Sequence, residues 1–137
     1  MSHLIVLDNE AVLVLNNPAH RKHRRVVSHI QVVASRKRRG VPLSAVVPTA
    51  VRAEAGWDRT ARSWAFPNSL RIADAPLDSA DANVAAAIRR RAGVSVRDAH
   101  VGALVRAASA DQAKVVTSDP ADMRAVAGDR EIVVVAL

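Results

Sequence analysis

The sequence predicts a three-layer α/β domain, a central parallel sheet flanked by helices. Short runs rich in Val and Ile alternate with segments of helical period along the chain. Such alternation builds a parallel sheet joined by right-handed crossovers. The first run, His3 to Leu7, is apolar without alternation and stops at Asp8, the pattern of a strand buried on both faces. With 137 residues, half of them apolar, the chain supplies one core but not two. No repeat, low-complexity tract or composition break marks a linker, so residues 1–137 are expected to form a single domain.

After the first strand, Asn9 to Asn16 is expected as a short helix closed by Asn and Pro. His20 to Arg39 is helical in period, with Val26, Val27, Ile30, Val33 and Ala34 as its apolar stripe, and Gly40 stops it. Val41 to Val47 reads as the second strand. Pro48 suits the first position of a helix running to about Trp57. Asp58 to Asn68 is expected to be irregular, and Leu70 to Ala73 a short strand. Asp78 to Arg91 is an Ala-rich helix ended by Gly93, and Ser95 opens another that reaches about Ala110. Lys114 to Thr117 is a strand, Pro120 to Ala127 a helix ended by Gly128, and Ile132 to Ala136 the last strand.

Composition excludes several classes. The stretch without charge from Val41 to Val51 falls far below the roughly 18 apolar residues of a spanning helix. Without Cys there is no disulfide framework, thiolate zinc site or thiol nucleophile. The N-terminus lacks the basic and apolar segments of a secretory signal, so a cytoplasmic location is expected. Charge is uneven. Residues 1–68 hold 11 Lys/Arg against 4 Asp/Glu, whereas residues 69–137 hold 9 of each. The excess lies in two clusters, Arg21, Lys22, Arg24, Arg25 and then Arg36, Lys37, Arg38, Arg39. Clustered Arg suits a phosphate-bearing or acidic partner, because the guanidinium fork pairs two oxygens. A solvated helix face fits the charge equally well.

In open parallel sheets ligands sit at the carboxyl ends of the strands. Asp8 follows the first strand and Asp119 follows the strand ending at Thr117, so both belong to one edge. Asp98 lies three, four and seven residues before Val101, Gly102 and Val105, on the inward face of its helix. Glu54 stands in the same relation to Ala50 and Val51, and Asp122 is a fifth candidate beside Asp119. Each acid also has an ordinary explanation. Asp8 can cap the next helix, Ser95 with Asp98 forms a capping box, Asp119 can cap the helix opened by Pro120, and Glu54 can be solvated. The joint pattern favours a site. Carboxylates within a few ångströms of one another require a compensating cation. An all-oxygen set selects a hard ion, Mg²⁺ or Mn²⁺, which binds phosphate oxygens and activates water.

The segments LIVLD, VPTAVRAE with Glu54, GVSVRDAHVGAL with Asp98 and VVTSDPADM with Asp119, in that order, resemble the PIN domain family, and within it the VapC-type toxin ribonucleases of toxin–antitoxin pairs. The resemblance spans nearly the whole chain. It implies a three-layer PIN-like fold, Asp8, Glu54, Asp98 and Asp119 around Mg²⁺ or Mn²⁺, and endonucleolytic cleavage of RNA. It further implies a homodimer and a partner antitoxin inserted near the site. By the same resemblance Asp8 and Asp98 are the principal metal ligands, Glu54 and Asp119 complete the shell and orient the attacking water, and Thr117 supports the site with its hydroxyl. Arg52, Arg97, Arg21, Arg24 and Arg25 are candidates for holding the RNA phosphates; as surface residues they can equally do nothing specific.

Two other readings stay open. Asn9 and Glu10 stand where relatives carry small or hydroxyl residues, which leaves room for a PIN-like module that binds RNA or protein without cleaving. A haloacid-dehalogenase-type phosphatase also opens on a strand-end Asp, but Glu10 occupies its second Asp position. His20, His23 and His29 lack an accompanying carboxylate or Cys and are expected to be solvated or near RNA rather than on a metal. Trp57, Trp64 and Phe66 can stack bases, receive an antitoxin helix, or pack a short helical hairpin.

Overall fold

The computed structural model describes residues 2–37 and 43–137, with only the backbone described for 32–37. Five strands form one parallel sheet: β1 (His3–Leu7), β2 (Leu43–Pro48), β3 (Ile72–Ala75), β4 (Gln112–Thr117) and β5 (Val133–Ala136). Their spatial order is β3-β2-β1-β4-β5. His3 pairs with Leu43 on one side and Gln112 on the other, and Leu7 reaches Val116. Strand order reverses between β1 and β4, so the crevice at their carboxyl ends is the topological switch point.

Among the described residues, seven α-helices connect the strands: α1 (Asn9–Leu15), α2 (His23–Lys37), α3 (Thr49–Ala55), α4 (Ala65–Ser69), α5 (Ser79–Ala92), α6 (Val96–Ala107) and α7 (Pro120–Ala127). Right-handed crossovers assign α1–α4 to one face and α5–α7 to the other. Packing follows that division, α1 lying against α2 and α3, and α6 between α5 and α7, while α3 and α6 also meet. The core joins Val6 and Leu7 of β1, Val12 and Leu15 of α1, Val47 and Val51, Val101 and Val105 of α6, and Met123, all buried. The uninterrupted run of β1 is thus explained by burial on both faces.

The boundaries differ from expectation where caps set them. Pro48 is not the first helical residue but the last of β2, extended at φ −61°, ψ 137° and paired with Ala75. The helix that follows ends at Ala55, because Gly56 takes a left-handed conformation at φ 76°. Residues 58–68, expected to be irregular, contain a 3₁₀ turn at Arg62–Trp64 and α4. The third strand sits two residues later than expected, and β4 begins two residues earlier. Ser95 caps α6 rather than belonging to it, and that helix stops at Ala107. The helix expected from His20 begins at His23, after a turn that holds Arg21 and Lys22. Its expected end at Arg39 and Gly40, and the start of the second strand at Val41, lie outside the described residues. No helix among the described residues is long and apolar enough to cross a membrane.

Candidate metal centre at the switch point

Asp8 follows β1 and is buried, 5% exposed. Its N–H continues the sheet ladder to the Val116 carbonyl at 3.2 Å. Its Oδ1 accepts the Ala11 N–H at 3.0 Å and so caps α1. Capping and a place at the site are therefore compatible here. Burial raises the Asp8 pKa above the ordinary aspartate value. Hydrogen bonds from Thr117 and Ala11 oppose the rise, and the charges of Asp98 and Glu10 add to it.

Thr117 ends β4, buried beside Asp8. Its Oγ1 accepts the Asp119 N–H at 2.9 Å. Asp119 is exposed and caps α7, its Oδ1 accepting the Asp122 N–H at 3.4 Å. A hydrogen bond shared with Asp119 pushes the Asp122 carboxyl up, with the charges of Asp119 and Asp98 acting in the same sense.

Asp98 stands in the first turn of α6, half-buried. Burial raises its pKa, the Arg97 guanidinium and Ser95 hold it down, and Asp119 pushes it up again. Its approach to α7 depends on Gly102, one turn further on. A Cβ there would lie 2.6 Å from the Val126 carbonyl oxygen and 2.8 Å from the Val126 Cβ. Arg106, another turn on, donates through Nε to that same oxygen at 2.9 Å. Residues 98, 102 and 106 thus share the face of α6 that meets α7.

Asp8, Asp98, Asp119 and Asp122 therefore form a chain of electrostatic neighbours at one sheet edge. Glu54 differs from expectation. Only Val51 of α3 is buried, and the Glu54 side chain is 59% exposed, with Oε1 3.3 Å from Nη1 of Arg97. Among the described residues, no three His, Asp or Glu side chains close to a spacing that holds a metal ion. The donor set, several carboxylates with raised pKa values and no sulfur, nevertheless has the chemistry a hard divalent ion requires. Asp8, Asp98 and Asp119 are the residues that would offer oxygen donors to such an ion.

Arg52 is engaged elsewhere. Its Nη1 contacts Asp74 at 2.7 Å, while Nε and Nη2 bond the Trp57 carbonyl. Arg21, Arg24 and Arg25 are exposed on the turn before α2 and its first residues. The three His do not converge. His20 Nδ1 accepts the Lys22 N–H, and His23 Nε2 bonds the carbonyl of Leu15, the last residue of α1. Burial, then the charges of Lys114 and Arg25, lower the His29 pKa. Trp57 and Trp64 are buried and stacked at 5.8 Å, with Arg59 over Trp57 and the indole N–H on Asn68, so both pack structure rather than bases. Phe66 remains 40% exposed. A groove of about 560 Å³ between α5, α6 and α7, lined by Val84, Ile88, Arg91 and Arg106 among others, contains none of the five acids.

Beyond the residues that the sequence singles out stands His100. It is fully buried on α6, and its Nδ1 accepts the Ala50 N–H at 3.3 Å. Burial lowers its pKa, against the charges of Asp81 and Asp78 and the Pro76 carbonyl. The only signal was a His inside the apolar helical run that follows Asp98.

No family model matches this sequence, and no curated protein matches it. Solved structures do match its fold. A chain in the structure of FitAB bound to an IR36 DNA fragment superposes with a TM-score of 0.60 at 18% identity, over 96% of this chain and 94% of that one. One parallel sheet between two helical layers is the three-layer α/β fold that the sequence predicts.

Proposed function

We propose that this chain is a Mg²⁺- or Mn²⁺-dependent endoribonuclease acting as the toxin of a type II toxin–antitoxin pair. The observation that carries the reading is Asp8, buried at the switch point beside Thr117, with Asp98 close enough to perturb it and Asp119 close enough to perturb Asp98. Burying a carboxylate beside other carboxylates destabilises the fold unless a cation is bound there in use. Asp8 and Asp98 would hold the ion, with Asp119 and Glu54 completing the shell. A divalent ion in this position supplies charge for the scissile phosphate and lowers the pKa of water. Thr117 opposes the rise of the Asp8 pKa by donating to its carboxylate and anchors the first turn of α7 through the Asp119 N–H. Arg97, already next to Asp98, is placed to meet a phosphate oxygen if Glu54 turns away. Arg21, Arg24 and Arg25 extend the contact with RNA. A cytoplasmic location, a homodimer and an antitoxin partner complete the proposal; in the FitAB structure the protein is bound to DNA.

The Glu54–Arg97 pair favours a second reading, a PIN-like module that binds RNA or protein without cleaving, since it engages one of the four acids in an exposed ion pair. Incubating purified protein with RNA and Mn²⁺, with and without EDTA, separates the two. Cleavage that stops in EDTA and in Asp8→Asn and Asp98→Asn supports the nuclease. RNA binding without cleavage supports the module, and cleavage that persists in EDTA removes the metal mechanism.

A further inference from the structure

The N-terminus of α3 has no cap of its own. Pro48 occupies the cap position and offers no side-chain acceptor. Thr49, the next residue, spends its hydroxyl on the Leu77 N–H at 3.1 Å, tying down the segment between β3 and α5. The first amides of a helix need acceptors from outside it. For Ala50 the acceptor is the Nδ1 of His100, fifty residues later on α6. Acceptance at Nδ1 places the ring proton on Nε2, so the imidazole is neutral. Ala50 and Glu54 are four residues apart and share a face of α3. Two ties therefore run from one face of α3 to α6: the part-buried His100–Ala50 bond, and the exposed Arg97–Glu54 pair at the other end. An exposed pair is screened by solvent and contributes little rigidity. The bond to the fully buried imidazole is the one able to fix the helices.

We propose that His100 is a positioning residue that caps α3 from α6 and thereby sets the spacing between Glu54 and Asp98. The proposal rests on the nuclease reading of that site. It gives an imidazole with no contact to substrate a role in the site, through the orientation of α3.

The chain has no Cys, so cysteines introduced at Ala53 on α3 and Val96 on α6, both exposed, carry nitroxide labels whose separation reports the α3–α6 geometry. His100→Leu fills the space without an acceptor. His100→Asn keeps an acceptor, Oδ1, at the same bond separation from Cβ as Nδ1. His100→Gln carries its amide one bond further out, away from Ala50, and serves as the loss variant if the Leu protein does not fold. The expected result is a broadened label distance in the Leu or Gln protein. In unlabelled protein, kcat on RNA and Mn²⁺ affinity fall about tenfold, as for other residues that orient metal ligands, with KM little changed. The Asn protein recovers the distance and most of kcat. An unchanged distance and kcat in the loss variant overturn the proposal, as does an Asn protein no better than Leu at equal stability. If the natural protein neither binds Mn²⁺ nor cleaves RNA, the site reading fails and this proposal with it. If it does both and the loss variant is unaffected, only the role of His100 fails.

Discussion

Thr117 Oγ1 accepts the backbone N–H of Asp119 at 2.9 Å. The same hydroxyl faces the Asp8 carboxylate and lowers its pKa, so one buried group links the ends of β1 and β4 across the point where strand order reverses. A hydroxyl can accept one bond and donate another, which is what this position requires.

Thr117→Val keeps the volume but removes both bonds. The Asp8 pKa, already raised, is expected to rise further, because a lowering contribution disappears. Mn²⁺ affinity should fall about 10- to 100-fold, with a stability loss of about 1–3 kcal/mol from the orphaned amide and carboxylate. Carboxyl-carbon NMR titration of Asp8 checks the direction. A lowered value would contradict the assignment of Thr117 as donor.

Asp8 also dictates a pH dependence. Its folded pKa lies above its unfolded value of 3.8, so the native state binds the proton more tightly. Stability from this group is present below the unfolded pKa and is lost as pH rises through the folded one. At pH 7 without divalent ions, Asp8→Asn should therefore be more stable than the natural protein, since Asn also caps a helix well. The difference should vanish below about pH 3.8. Added Mn²⁺ should reverse the order at neutral pH by stabilising the natural protein alone. Thermal unfolding across pH tests this, and an Asn variant that is less stable at pH 7 would contradict it.

Gly102→Ala places a methyl group against backbone, the Val126 carbonyl oxygen at 2.6 Å, which cannot rotate away. Helices α6 and α7 must part, at about 1–3 kcal/mol. Asp98 and Asp119 separate with them, so the Asp98 pKa is expected to fall as one raising charge recedes. Denaturant unfolding and carboxyl titration of one sample read both effects. Unchanged stability would mean that the two helices are not held at contact distance.

Arg97→Gln should alter stability by no more than about 1 kcal/mol, as expected of an exposed pair. It should raise the Asp98 pKa, since Arg97 is the largest influence holding it down. Loss of RNA affinity in the same variant, at constant stability, would mark Arg97 as a phosphate contact; unchanged affinity would confine it to the ion pair.

Much of this arrangement was legible in the sequence because it depends on local signals. The strand–helix alternation, the abrupt end of LIVL at Asp8 and the capping residues Ser95 and Asp119 gave the class and the sheet edge to examine. What escaped depends on partners distant along the chain. Glu54 has small neighbours on a short helix, Ala50 and Ala53, whose periodicity does not decide burial, and its partner Arg97 is 43 residues away. Arg52 is taken up by Asp74, 22 residues on, a partner that no local pattern announces. Pro48 reads as a helix opener, and only pairing with Ala75 makes it the end of a strand. The 3₁₀ turn and α4 escaped because five-residue helices carry no period, and are held instead by Trp64 packing on Trp57.

In the proposed site Asp8 and Asp98 hold one divalent ion in the crevice between β1 and β4. Crystals soaked in Mn²⁺ and measured at a wavelength where manganese scatters anomalously test it directly. A single peak within coordination distance of both carboxylates, lost in Asp8→Asn, is the expected result. A crystal that binds Mn²⁺ elsewhere while this crevice stays empty would contradict it.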